Sequence, residues 1–283
     1  MPLQSTRGRH GTLRMAFVHR NGRTVLADTF FQAPLQVMKP RQTEDGGVCV
    51  YLLTPTGGVV QGDSYQTDLN LSPSTCVTFT TQSATKVYGM PLHSARQELR
   101  FYVGARGFLE YLPDPVILFQ DADFEQRVSV FLEAGARVIL QDIVMPGRLG
   151  RGEMLAFRRY ATHLDVTDTD GLLIHDAACI CPNVEQRLCQ LGALEGFPVW
   201  GSGYLLGDVD VSRVIASDLP EKIDCLINQD NPSIGGFSTL RRNGLAIRML
   251  AVNTTTILNA FQSAWNLLKK ELFGLGPVDL RKY

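Results

Sequence analysis

No apolar run in the 283 residues approaches the roughly 18 positions that a membrane-crossing helix needs. The segment from Met1 to Arg9 also lacks the apolar stretch of a secretory signal, so a cytoplasmic protein that neither spans nor enters a membrane is expected. Charge of one sign is missing as well: 27 Lys+Arg against 28 Asp+Glu leave a net charge of −1. A general nucleic-acid binder needs a basic surface to displace counterions, and none is on offer. The five histidines (His10, His19, His93, His163, His175) are scattered and form no HxH or HExxH. The six cysteines (Cys49, Cys76, Cys179, Cys181, Cys189, Cys225) form no repeating CxxC framework. Cys179-x-Cys181 would need third and fourth metal ligands, and only Cys189 and His175 stand near, so no closed zinc or nickel cage and no tightly bound cofactor is expected. Also absent are a GxxxxGK[ST] lysine, a GxGxxG opening a helix and a G-x-S-x-G elbow, which removes phosphate-cradling loops and the serine-nucleophile architecture.

What is there is a set of strand pairs. Leu13, Met15 and Phe17 alternate with less apolar residues up to Asn21-Gly22, a dipeptide that accepts the positive φ angles of a two-residue hairpin turn. Asn243-Gly244, Asp170-Gly171 and Ala134-Gly135 mark three further hairpins, the last between 128–132 and 137–140. Val48–Leu53, Cys76–Thr81, 97–103 and 153–158 are further strand-like runs. None is followed by a regular helical crossover, so the body is expected to be mainly antiparallel β. Helices are few: 183–194, 218–228 and, most clearly, Thr254–Phe273. In the last, Ile257, Leu258, Phe261, Ala264, Trp265, Leu268 and Leu272 form a stripe, Asn253 or Thr254 caps the start, Lys269 and Lys270 suit the last turns and Gly274 ends it. With no linker, repeat or low-complexity segment, residues 1–283 read as one domain.

Carboxylates are the main chemical resource: Glu110, Asp114, Asp121, Asp123, Asp142, Glu153, Asp168, Asp170 and Asp176. A β-rich chain with paired acids admits a β-helical carbohydrate-active hydrolase. Such clefts are lined with aromatics, however, and only 8% of residues are aromatic, with two Trp. Most of these acids read as solvated turn residues. Asp63, closing the glycine-rich run Thr54-Pro55-Thr56-Gly57-Gly58-Val59-Val60-Gln61-Gly62-Asp63, either caps a turn or faces an interior path.

The run Cys49-Val50-Tyr51-Leu52-Leu53 leading into Gly57-Gly58-Val59-Val60-Gln61-Gly62-Asp63, followed by Thr80-Thr81-Gln82-Ser83-Ala84-Thr85-Lys86-Val87-Tyr88, resembles the urease accessory protein UreD (UreH) family. The likeness continues through Leu109-Glu110-Tyr111-Leu112-Pro113-Asp114-Pro115, Gly147-Arg148 with Arg151-Gly152-Glu153, and Ala264-Trp265 followed by Gly276-Pro277. The stretch 277–283 departs from it in lacking a Pro-Arg-x-Trp ending. The resemblance implies a mainly β fold, its strands stacked in a helix-like, two-layered arrangement with a few helices. It also implies a nonenzymatic scaffold that binds apo-urease, recruits UreF and through it the GTPase UreG, and helps to pass Ni²⁺ to the urease site along an internal route. A conduit needs oxygen ligands weak enough to release the ion, given the high place of nickel in the affinity order. Asp63, Asp142, Glu153 and Asp176 are the candidate path-lining carboxylates. Asp63 and Glu153 sit inside the matching motifs, whereas Asp142 and Asp176 each end an apolar strand-like run, where a lone acid must be wet or paired.

Overall fold

Side-chain alternation with a period of two writes the strands of this computed structural model, which describes residues 8–182, 188, 192–228, 232–277, 279, 280 and 282. In chain order they are β1 (His10–Arg20), β2 (Arg23–Gln32), β3 (Gln36–Val37), β4 (Arg41–Gln42), β5 (Val48–Leu53), β6 (Ser64–Leu71), β7 (Cys76–Thr81), β8 (Thr85–Val87) and β9 (Ala95–Val103). There follow β10 (Phe108–Tyr111), β11 (Val116–Leu118), β12 (Asp123–Leu132), β13 (Arg137–Met145), β14 (Arg159–Asp168), β15 (Gly171–Ile180) and β16 (Val199–Gly207). Two helices, α1 (Val211–Ile215) and α2 (Leu219–Ile227), precede β17 (Ser233–Thr239), β18 (Gly244–Ala251) and the long α3 (Thr254–Phe273).

The chain shuttles between two sheets. One has the order β15-β14-β12-β9-β6-β1-β2 and the other β17-β18-β16-β13-β10-β7-β5-β3, with β4, β8 and β11 attached beside the second path. From β5 to β14 the main strands alternate between sheets, so each coil lays one strand on each layer. This is the stacked, two-layered β arrangement expected, and it ends in a C-terminal helix.

The expected antiparallel pairing holds only at the flanks, where β1 pairs β2, β14 pairs β15, and β16 joins β13 to β18. The centre is parallel: β1-β6-β9-β12-β14 in one layer and β5-β7-β10-β13 in the other. A parallel pair needs a crossover, and here the strand on the opposite sheet supplies it in place of a helix. Asn21-Gly22, Asp170-Gly171 and Asn243-Gly244 do make hairpins. Ala134-Gly135 does not: β12 and β13 lie in different sheets, and Gly135, at φ +71°, turns the chain from one layer to the other. Residues 153–158 form a loop rather than a strand. The helix expected over 183–194 falls mostly outside the described residues, while α2 and α3 occur where expected.

Parallel stacking aligns equivalent side chains into ladders. Met15, Leu69, Phe101, Val130 and Val166 are successive register neighbours across five strands, all buried in the core between the sheets. A second core lies between the outer face of the larger sheet and α3, where Ile257, Phe261, Ala264, Trp265 and Leu268 are buried. Asn253 caps α3 by accepting the Thr256 N–H at 2.9 Å, and Gly274 closes it at φ +66°. Close approach of the helix requires glycine in β16. A Cβ on Gly203 would stand 2.5 Å from Cζ2 of Trp265, and one on Gly201 would stand 2.7 Å from Cγ2 of Ile257.

Candidate functional site

At one level the apolar ladders give way. Tyr65, Gln97, Gln126 and Thr162 are register neighbours in the smaller sheet, as are Asp142, Ser202 and Arg248 in the larger. Local periodicity explains the placement: Gln97, Gln126, Thr162 and Asp142 each stand two residues before a core member (Leu99, Val128, Leu164, Val144), so each faces inward. Polar side chains thus meet between the layers.

A cavity of about 370 Å³ opens at this level, with Gln126, Asp142, Thr162, Asp176, Trp200 and Arg248 in its wall. Asp142 accepts the Tyr160 hydroxyl at 3.0 Å. Asp176 accepts from the Tyr204 hydroxyl and, at 3.0 Å, from the Arg248 guanidinium, whose carbon lies 5.2 Å from the centre of the Tyr204 ring. Burial pushes the Asp142 carboxyl up to about 6, with the negative charge of Asp176 acting in the same direction and the Tyr160 bond opposing both. Burial likewise raises Tyr160 and Tyr204, so both remain protonated donors at neutral pH. Beyond Asp142 lies a gap of about 20 Å³, room for about one water, walled in part by Tyr65, Gln97, Tyr111, Gln126, Asp114 and Asp142. Pro113 and Asp114 also border a third space, about 600 Å³, beside α3. The three spaces therefore share walls: Tyr111, Gln126 and Asp142 between the first two, and Pro113 and Asp114 between the second and third.

Of the four carboxylates singled out from sequence, Asp142 and Asp176 are brought together; Asp63 and Glu153 are not. Asp63, 2% exposed, accepts the Arg9 and Val60 N–H groups, both at 2.9 Å, and the Tyr65 hydroxyl at 2.6 Å. It locks the glycine-rich turn, and only its partner Tyr65 reaches the narrow gap. Glu153 accepts the Gln120 N–H at 2.8 Å and forms a two-pronged pair with Arg148, which itself lies over Phe119. Burial works to raise the Glu153 carboxyl, and Arg148 together with the backbone donors outweighs it and holds the group below its ordinary range. Of the nine carboxylates, most of them read as solvated turn residues, Glu110 and Asp114 are buried at 2% and 4% exposure. Glu110 is held by Lys269 and Thr78, each at 2.8 Å, and Lys269 is itself buried rather than solvated at the helix end. The signal was present: Lys269 follows Trp265 at i+4, on the apolar stripe of α3. Arg248 was likewise legible as a charge inside the apolar run Leu245-Ala246-Ile247-Arg248-Met249. Among the described residues no group of three or more His, Cys, Asp or Glu side chains is placed to hold a metal ion, and no helix is long and apolar enough to cross a membrane.

The UreD urease accessory protein family model matches residues 9–282. The chain belongs to that family. It is similar to the urease accessory protein UreD of Haloarcula marismortui, with 30% identity over 98% of this chain and 91% of the relative. To the UreD 2 of Streptomyces griseus it is 33% identical over 96% of this chain and 93% of the relative, and to the UreD of Lachnoclostridium phytofermentans 28% identical over 96% and 98%. Family membership implies a role in urease maturation.

Proposed function

We propose that the chain is a nonenzymatic maturation factor that binds apo-urease and, with UreF and the GTPase UreG, passes Ni²⁺ toward the urease active site in the cytoplasm. Nickel is cargo in this reading, not a resident cofactor. The observation that carries it is the polar level between the two sheets. There Asp142 and Asp176 sit among hydroxyl and amide side chains and the Arg248 guanidinium, with no thiolate or imidazole among the described residues of the cavity wall. Two carboxylates attract a divalent ion, while the lack of a tight cage keeps the site from trapping it. Asp63 and Glu153 support the walls in this reading, since their oxygens are committed to backbone and arginine donors.

Co-expression with the urease subunits, UreF and UreG tests this. Asp142→Asn and Asp176→Asn should leave the complex with UreF intact on pull-down but lower the nickel content and activity of urease at limiting nickel. Full activation by both variants would remove the two acids from the path. Two acids near Trp200 and Tyr204 are also what a carbohydrate-active hydrolase would place in a cleft. The purified chain is expected to turn over no polysaccharide, and robust hydrolysis abolished by Asp142→Asn would replace the scaffold reading.

A further inference from the structure

An edge strand presents a row of unpaired N–H and C=O groups, and folded chains usually block it. At the end of the larger sheet, Asn228 blocks β17 by accepting the Gly235 N–H at 3.1 Å and donating to the Gly235 carbonyl at 3.5 Å. At the end of the smaller sheet, β2 is blocked only at its start, where Thr24 donates to the Gly46 carbonyl and accepts from the Gln42 amide, both at 2.8 Å. Beyond a bulge at Ala27, the stretch from Asp28 to Gln32 is exposed and pairs regularly with β1. The direction of each backbone group there follows from β1. The Arg9 and Phe17 carbonyls accept from Ser64 and Ser72 on the β6 side at 2.8 and 3.0 Å, so odd-numbered residues of β1 serve β6 and even-numbered ones serve β2. Thr29 and Phe31 stand opposite Met15 and Leu13, so their N–H and C=O groups point to the open side. Thr24, opposite His19, obeys the same rule, as its bonds to Gly46 and Gln42 show. Among the described residues nothing pairs with the backbone of Thr29 or Phe31 on that side. Two aromatics flank these groups: Phe30, 51% exposed, on the outer face under the Arg14 guanidinium, and Phe31, 48% exposed, on the same face as Leu13. From Thr24 to Gln32 there is no Lys or Pro, and the single charge is Asp28.

We propose that β2 is the docking edge for a second copy of this chain, joined antiparallel across a two-fold axis at Phe30. The strand is self-complementary in this register. Thr29 of one copy meets Phe31 of the other, and these are the residues with free backbone groups, so the two such pairs exchange about four N–H···O bonds across the seam. Phe30 then faces Phe30 of the other copy as a non-hydrogen-bonded pair with Cα atoms about 4.5 Å apart, the spacing at which cross-strand aromatics touch. Asp28 faces the Gln32 amide rather than a second carboxylate. A shift of the pairing toward the start of the strand would run it into the bulge and set Asp28 against Phe30. Pairing in the Phe30 register joins two seven-stranded sheets into one, covers half-exposed aromatics on both faces, and closes at two copies because the same edge is used by both. The contact is small, as suits a reversible dimer. It is independent of the nickel reading.

Sedimentation equilibrium of the purified full chain over a wide range of concentration tests this, and the mass should rise reversibly from that of the monomer toward that of the dimer. Phe30→Lys sets two like charges against each other at the axis, and Thr29→Pro removes an outward N–H that β1 does not use. Both variants should stay at monomer mass while circular dichroism shows the parent fold. Cross-linking reads the register. Phe30→Cys should oxidise to a covalent dimer faster than Asp28→Cys and faster than the parent, which carries the exposed Cys179 and Cys225. A chain that is monomeric at every concentration, its edge left to some other polypeptide, overturns the proposal, as does a dimer that survives both Phe30→Lys and Thr29→Pro. Equal cross-linking at positions 28 and 30 overturns the two-fold register. Should Phe30→Lys or Thr29→Pro fail to fold, Phe30→Cys decides, since it leaves every backbone bond between β1 and β2 in place.

Discussion

Asp142 and Asp63 show how two buried carboxyls can do opposite work. Asp142 is raised to about 6 chiefly by burial, so the folded state holds its proton more tightly than the unfolded chain, whose carboxyl titrates near 3.9. Stability from this group is therefore greatest below about pH 4 and is lost as pH rises through about 6. Asp142→Asn should stabilise the protein by about 1–2 kcal/mol at neutral pH, less than full burial would give because the cavity admits water, and should flatten the melting temperature between pH 4 and 6. A melting series across that range, on parent and variant, checks both statements. Asp63 is stabilising as it stands, because three donors converge on it. An amide can offer one oxygen to Val60 and Tyr65 only by turning its NH₂ against the Arg9 N–H. Asp63→Asn should therefore cost about 1–3 kcal/mol, and any loss of urease activation should follow the loss of folded protein. Nickel delivery lost at full stability would instead return Asp63 to the path.

Helix α3 and strand β16 show what an element inherits from its neighbours. The bounds of α3 were legible because its cap, stripe and closing glycine are all local. The Asn-Gly and Asp-Gly hairpins were legible for the same reason. The parallel centre was not, since pairings such as Leu69 with Phe101 and Phe101 with Val130 join segments far apart in sequence, and no turn residue records them. The site divides in the same way. Gln97, Gln126 and Thr162 announce themselves as polar residues at inward positions, but the meeting of Asp142 with Asp176 depends on how β13 and β15, from opposite layers, are stacked. The glycines of Trp200-Gly201-Ser202-Gly203-Tyr204 likewise acquire meaning only once α3 lies against them. Gly203→Ala should cost about 1–3 kcal/mol, because its new methyl meets the six-membered ring of Trp265. In a Trp265→Phe background that ring edge is gone, so most of the cost should disappear. Denaturant melts on the four members of the cycle measure the coupling; additive costs would mean the helix shifts freely over the sheet.

At the scale of the whole molecule, the larger sheet belongs to both cores. Val138 and Leu140 face the interior between the sheets while Ile139 faces α3; Leu206 and Leu205, and Ala246 and Leu245, divide in the same way. Each of these strands thus carries alternate side chains into two separate apolar layers, so loss of the helix would strip one face of strands whose other face closes the interior. The buried Lys269–Glu110 pair adds a polar tie across the same boundary, one that would leave a buried charge unpaired if α3 lifted away. The expectation is a single cooperative transition rather than a helix layer that melts first. The two tryptophans supply the measurement, since Trp200 packs against the inner core and Trp265 lies in the outer one. In Trp200→Phe the remaining fluorescence comes from the helix layer alone, whereas far-UV circular dichroism follows the strands. The two denaturant midpoints should coincide. A fluorescence midpoint clearly below the dichroism midpoint would show that α3 detaches while the coils stand, and would make the α3 face a surface that opens on its own.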